Sequence, residues 1–386
     1  MMVRAFIGLA LLTAPWAAAA QDTIPERPFV RGGVYDRPYL AQLMGRTAIG
    51  GYAEAHAIWE RADGAIEHRG FVAKRFNLFT ATEVSDFIRI GAELEFEDGA
   101  EEIKLEYAAI DFAVHQSFTL RAGMILSPIG RFNLAHDSPL NEFTDRPIVS
   151  TELLGTALSE PGLGALGVFP LGGVGRLTYE VYAVNGFHDG LITRSADGTR
   201  IPQGRGNFED NNASPAVVGR VAWSPALDLE FGLSAHHGAY NVFNVDGLAV
   251  EPARHLTIIA VDAEGEVAGI QLRGEVANAA IDVSEALDGV YASGQRGLYT
   301  EAIYNFGRGV VSTMPNSHFS AGARIDVVDF DIDLAGDTAR RLTLGFNFRP
   351  TAETVLKFDY FRGQGRDRFN SAAEEAGVQF SLATYF

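Results

Sequence analysis

The sequence predicts an all-β chain, a transmembrane antiparallel β-barrel of about 16 strands. Three observations predict it. Apolar residues alternate with small or polar ones at period 2 in segment after segment, which gives strands one apolar face. Of the 386 residues 47% are hydrophobic and 42 are Gly, yet beyond residue 20 no run of about 18 apolar residues could form a transmembrane helix. The connections between the alternating segments are short and long in turn, as they are in a barrel with tight turns at one end and loops at the other.

The elements follow in order. Met1 to Arg4 carries one positive charge, Ala5 to Ala17 is apolar apart from Thr13, and Ala18-Ala19-Ala20 supplies small residues for cleavage. Residues 1–20 therefore read as a secretory signal peptide. Residues 21–46 hold Pro25, Pro28 and Pro38, show no period, and read as a periplasmic N-terminal segment. The barrel is expected over 47–386. The chain has no cysteine, so an exported protein of this size must draw its stability from a large core or a closed sheet.

In the first strand Ile49, Gly51, Ala53, Ala55, Ala57 and Trp59 share one face, and Gly50, Tyr52, Glu54, His56, Ile58 and Glu60 lie on the other. The split is cleaner over 87–97. Ile88, Ile90, Ala92, Leu94 and Phe96 point one way, and Arg89, Glu93, Glu95 and Glu97 the other. The same reading places strands at 47–60, 71–83, 87–97, 101–114, 118–126, 163–169, 174–186, 215–224, 227–240, 254–263, 266–280, 295–306, 317–329, 340–349, 353–362 and 375–386. The pattern slips near Ile110 to Phe112 and is weak over 163–169. Short links such as Val84-Ser85-Asp86, Glu264-Gly265 and Pro350-Thr351-Ala352 interleave with long ones at 127–162, 187–214 and 241–253. The 307–316 link is long for its side, and 98–100 is short for the other. A soluble sandwich can also show alternating strands, but the parity of the connections favours a barrel.

The last strand alternates Val378, Phe380, Leu382, Thr384 and Phe386 against Gln379, Ser381 and Tyr385. It resembles the C-terminal strand of bacterial outer-membrane β-barrels. That resemblance implies that Phe386 is the insertion signal. It also implies the barrel-assembly machinery, outer-membrane lipid and lipopolysaccharide as partners, in the outer membrane of a Gram-negative bacterium.

Three stretches carry a narrower resemblance. They are RFNLFTATEVSDFIRIGAELEFEDG (75–99), LRAGMILSPIGRFNLAHDSP (120–139) with Arg146-Pro147 and SEPGLGALG (159–167), and YEVYAVNGF (179–187). Together they look like the phosphate-selective porin superfamily, over roughly residues 47 to 187. The resemblance implies a homotrimeric, water-filled channel for passive diffusion of small hydrophilic solutes or ions. It also implies that the third external loop, Ser127 to Gly162, folds inward and narrows the lumen. The lysine-rich pore of the phosphate-specific members is not evident, since the only lysines are Lys74, Lys104 and Lys357.

That loop offers Arg131, His136, Asp137, Glu142, Asp145, Arg146 and Glu152 as constriction residues, and Glu160 at its return. The expectation is that Arg131 and Arg146 face Glu142, Asp145 or Glu152, setting a transverse field on a passing ion. The bland alternative is that these are solvated residues that fasten the loop. Pore-wall candidates are Arg89, Glu93, Lys104, Glu106 and Arg121, with Arg89 and Arg121 balancing Glu93 and Glu95.

Other classes are disfavoured. A net charge of −18 and a pI near 4.9 argue against nucleic acid. The histidines lack zinc-ligand spacing, and His236-His237 point to opposite faces of a strand. No metal or other cofactor is expected. The acids Asp326, Asp329, Asp331 and Asp333 near an external loop offer oxygen ligands for Ca²⁺, against the commoner reading of a solvated loop rim. A lipid-acting barrel enzyme would need a His, a Ser and an amide converging on one wall strand. His136-Asp137-Ser138 lies instead in a Pro-flanked loop, where Asp-Ser-Pro is turn chemistry. A plugged structural or adhesion barrel is the remaining alternative.

Overall fold

The computed structural model describes residues 41–44, 47–195 and 198–386. The signal peptide and most of the N-terminal segment expected from the sequence lie outside the described residues. Sixteen strands form one closed sheet. They are β1 Thr47–Ala62, β2 Ala65–Glu83, β3 Ile88–Glu97, β4 Glu102–His115, β5 Phe118–Leu126, β6 Ser159–Pro170, β7 Arg176–Val184 and β8 Ala216–Ala226. The second half comprises β9 Leu229–Ala239, β10 His255–Val267, β11 Ile270–Ile281, β12 Gly294–Phe306, β13 His318–Asp329, β14 Thr338–Arg349, β15 Thr354–Arg366 and β16 Ala372–Tyr385. Each strand pairs antiparallel with the next, and β16 closes on β1 from Glu375↔Ala62 to Tyr385↔Tyr52. Closure leaves no unpaired edge along the wall. A short strand, Ala41–Met44, pairs with the first residues of β1 beyond the end of β16.

The expected faces hold. Ile90 and Leu94 are 39% and 37% exposed on the outer surface, whereas Glu93 is 1% exposed inside. Outward aromatics gather near the tight-turn end. Phe386 stacks on Phe76 with ring centres 5.6 Å apart, Trp223 stacks on Phe231, and Phe319 packs against Phe346 and Phe348. Such a belt suits the boundary between an apolar slab and water.

Three features depart from the sequence reading. The first loop shrinks to Asp63-Gly64, because β1 and β2 zip further, to Ala62↔Ala65. Both turn residues have positive φ (49° and 81°), the conformation of a tight type I′ hairpin. Likewise the turn expected at Glu264-Gly265 sits at Ala268-Gly269. Extending the strands there adds four cross-strand pairs, from Glu264↔Arg273 to Val267↔Ile270. The slip expected near Ile110 lies earlier, where Glu93 faces Tyr107 but Leu94 faces Leu105. This bulge turns both Glu106 and Tyr107 inward, at 3% and 1% exposure.

The interior has two unlike halves. Inward residues of β6 to β13 include Leu166, Tyr182, Val184, Val218, Leu256, Ile258, Ala277 and Val328. They pack against Ile129, Phe132, Ile148, Val149, Leu153 and Leu154 of the 127–158 loop and Leu191, Ile192 and Ile201 of the 185–215 loop. Uncovered, this apolar wall would face water at about 25 cal/mol per Å², so both loops stay docked. The opposite half, β1 to β4 and β14 to β16, is lined by charge.

Candidate functional site: a charged cleft beside an inserted loop

The 127–158 loop crosses the lumen, and each of its turns is fixed by an inward wall residue. At its start Gly130 donates its N–H to Ser234 Oγ at 2.8 Å, and Phe132 N–H reaches Glu275 at 3.2 Å. Gly130 has φ 70°, and a Cβ there would collide with the Glu275 carboxylate, so only Gly fits this approach. His136 lies against Glu106 of the bulge. Deeper, Asp137 accepts a 2.9 Å bond from Tyr385, and Ser138 bonds Glu54. Lys357 donates to the carbonyls of Ser138 (2.8 Å) and Phe143 (3.1 Å). Arg349 binds Glu142 and the Pro139 carbonyl. The chain then climbs. Thr144 N–H donates to Asp359 at 2.5 Å and Ile148 N–H to Asp326 at 2.9 Å.

Glu142 is the most heavily bonded of these loop acids. Burial raises its carboxyl, but the Arg349 guanidinium and hydrogen bonds from Ser320 and Asn347 outweigh burial and hold it down to about 2.

The charge pairing expected within the loop is corrected. Arg131 pairs with Glu264 of β10 at 2.7 Å, and Arg146 lies 4.0 Å from Glu95 of β3. Asp145 meets Arg341 of β14 at 3.3 Å, and Glu142 meets Arg349. A loop extended across a barrel keeps its own charges apart and places each against the wall. The wall pairing changes as well. Arg121 forms two 2.8 Å bonds with Asp111 rather than balancing Glu93 or Glu95, and Arg89 lies 3.7 Å from Glu83. Glu93 accepts from Asn77 at 2.7 Å, and Lys104 bridges Glu97 and Glu102 at the loop-end rim. His136 and Ser138 are bound to separate partners, Glu106 and Glu54, so they form no catalytic pair.

Between the climbing half of the loop and the wall of β1, β2 and β14 to β16 runs a cleft of about 560 Å³. Asp145, Arg146 and Glu152 line it from the loop. His56, Arg75, Arg341 and Glu375 line it from the wall. Arg75 is held by Glu54 (3.0 Å), Glu95 (3.4 Å) and Glu97 (2.7 Å), and Arg341 forks onto Glu375 at 2.7 and 2.8 Å. Arg146 is held less closely: among the described residues its ion pair is the 4.0 Å approach to Glu95, and its Nη2, like Arg75 Nε, has no hydrogen-bond partner. The sequence-predicted constriction residues thus divide. Asp145, Arg146 and Glu152 face the cleft, while Arg131, His136, Asp137 and Glu142 anchor the loop. Sequence reasoning missed Arg75, Arg341, Arg349 and Lys357. All four are cations at inward strand positions, a signal that alternation carried but that was applied only to β3, β4 and β5.

No family model matches the chain. An uncharacterized protein of Aquifex aeolicus (strain VF5) is 24% identical over 372 residues, spanning 87% of this chain and 80% of that protein. Among solved structures, the anion-selective porin from Comamonas acidovorans superposes with a TM-score of 0.57 at 13% identity, over 88% of this chain and 99% of that one. The outer membrane channel DcaP of Acinetobacter baumannii gives 0.54 at 12% identity, over 88% and 97%. At these identities the likeness is one of fold, the fold of outer-membrane porins and channels.

Proposed function

We propose that the protein is an outer-membrane porin through which small hydrophilic solutes or ions diffuse passively, with the loop end facing outward. The observation that carries this reading is the charged cleft that the inserted loop leaves at the loop end of the barrel. A solute entering there meets fixed charges of both signs. The surrounding low-dielectric wall strengthens each charge's effect on an ion. Arg146, loosely paired, is the cation placed to act most strongly, with Glu152 and Asp145 as its counterweights. The finer resemblance to phosphate-selective porins rests on three sequence stretches, and the trimer it implies belongs to the same proposal. Phosphate specificity is not included, because Arg75, Arg121, Arg341 and Arg349 are already matched by carboxylates. Recognition of Phe386 by the barrel-assembly machinery is likewise proposed.

A plugged barrel is the second reading. It is favoured by the burial of Ser138, Lys357 and Gln379 deep in the lumen beside the loop. Single-channel recording of the refolded chain in planar bilayers decides between them. Discrete conductance steps support the porin, and a silent, folded barrel supports the plug.

A further inference from the structure

The outer wall carries a second charged feature at the edge of the cleft's mouth, which Arg340 also lines. On β14, Ala339 and Arg341 turn inward, so Arg340 between them turns outward at the rim of the cleft's mouth. On β15, buried Phe361 likewise sends Arg362 outward. Register pairs Arg340 with Gln364 and Leu342 with Arg362, which makes the two arginines diagonal neighbours on one face. Both are exposed, and among the described residues neither has an ion-pair or hydrogen-bond partner. The nearest outward carboxylate on β13, Asp329, is already bound by Arg296 at 3.0 Å. Glu374 on β16, diagonal to Arg362, forms no ion pair with it.

Below this pair the same face is apolar. Leu342, Leu344, Phe346, Phe358 and Tyr360 are all exposed there. At about 3.3 Å per residue, Phe348 to Arg340 spans about 26 Å of strand, or about 20 Å of height at a tilt of about 40°. That height lies near the top of an apolar band about 25 Å tall, where lipid headgroups begin. Two unpaired guanidinium forks on one such face suit an anion with several oxygen acceptors. The geometry points to a binding site on the outer wall for the phosphate of an outer-leaflet lipid headgroup, held by Arg340 and Arg362 above a bed of Leu342 and Tyr360. The site does not depend on whether the lumen conducts, but it rests on the proposed orientation with the loop end outward.

The test is native mass spectrometry of the refolded full chain in detergent, titrated with diphosphorylated lipid A or its phosphate-free form. The wild type is expected to hold the phosphorylated lipid about tenfold more tightly, the scale of one or two charge-assisted hydrogen bonds. The Arg340→Gln/Arg362→Gln pair is expected to lose that preference while keeping heat-modifiable migration. If the pair fails to assemble, each single variant carries the test, with a loss of about threefold. Equal retention of the two lipids by the wild type, or an undiminished preference in the variants, overturns the site. Displacement of the lipid by matching concentrations of inorganic phosphate overturns it too, since the arginines would then hold a free anion.

Discussion

Arg349 grips Glu142 through two nitrogens, Nη2 at 2.6 Å and Nε at 3.1 Å, while its Nη1 holds the Pro139 carbonyl at 2.8 Å. One wall residue thereby fixes the deepest part of the inserted loop. Removing it leaves a buried carboxylate without its cation, a change that costs about 3–5 kcal/mol. Arg349→Gln is therefore expected to loosen the loop without unzipping the barrel. Heat-modifiable migration should persist while single-channel current becomes larger and noisier.

The same pair sets an acid limit. The Glu142 carboxyl is depressed to about 2 in the folded state, against 4.5 as its ordinary value. Its contribution is fully present above about pH 4.5 and is lost as pH falls toward 2. Loop protection against proteolysis should hold at neutral pH and decline across that window. In Glu142→Gln the decline across that window should be smaller, and an identical acid profile in that variant would assign the transition to other groups.

Selectivity should follow the division between cleft and anchor. Arg146→Gln is expected to move the reversal potential toward cations, and Glu152→Gln toward anions. Arg131→Gln, whose partner Glu264 lies near the tight-turn end on the far wall, should change it little. Charges on the outer loops are screened beyond about 8–10 Å at physiological salt, so they matter less than the cleft. Equal shifts from Arg131 and Arg146 would place the ion path elsewhere.

The wall faces make a sharper pair. Leu94→Arg puts a charge on the lipid side and should cost about 2–4 kcal/mol if it lies near the midplane. Glu93→Gln, inside and bonded to Asn77, should leave assembly intact. Urea titration of the folded barrel in detergent measures both.

Much of the fold was legible because a closed sheet leaves a period of 2 in nearly every strand. Ile90 and Leu94 against Glu93 could be assigned without coordinates. Turn positions were less legible, since Glu264-Gly265 and Ala268-Gly269 offer nearly the same turn chemistry and only the extra cross-strand pairs choose between them. The bulge at Glu106 was displaced in the reading because one added residue shows only as a later loss of phase. The inward path of the 127–158 loop came from resemblance. Its partners did not, because Asp137 and Tyr385, or Glu142 and Arg349, are joined by barrel closure and not by spacing in the chain.

Position 386 carries the assembly signal proposed above. Phe386 stacks outward on Phe76, and its N–H and carbonyl pair with Gly51 at 3.0 and 3.2 Å. Phe386→Asp is expected to reduce folded barrel in the membrane fraction. Normal yield of heat-modifiable protein would remove the role given to this residue.

The central claim is that solutes pass through the cleft beside the inserted loop. The chain contains no cysteine, so a single one introduced at Glu152 is an unambiguous reporter. The decisive measurement is single-channel current through Glu152→Cys while a bulky charged thiol reagent is added from the loop side. A stepwise, irreversible fall in current upon modification is the predicted result. Modification confirmed by mass, with current unchanged, would contradict the account.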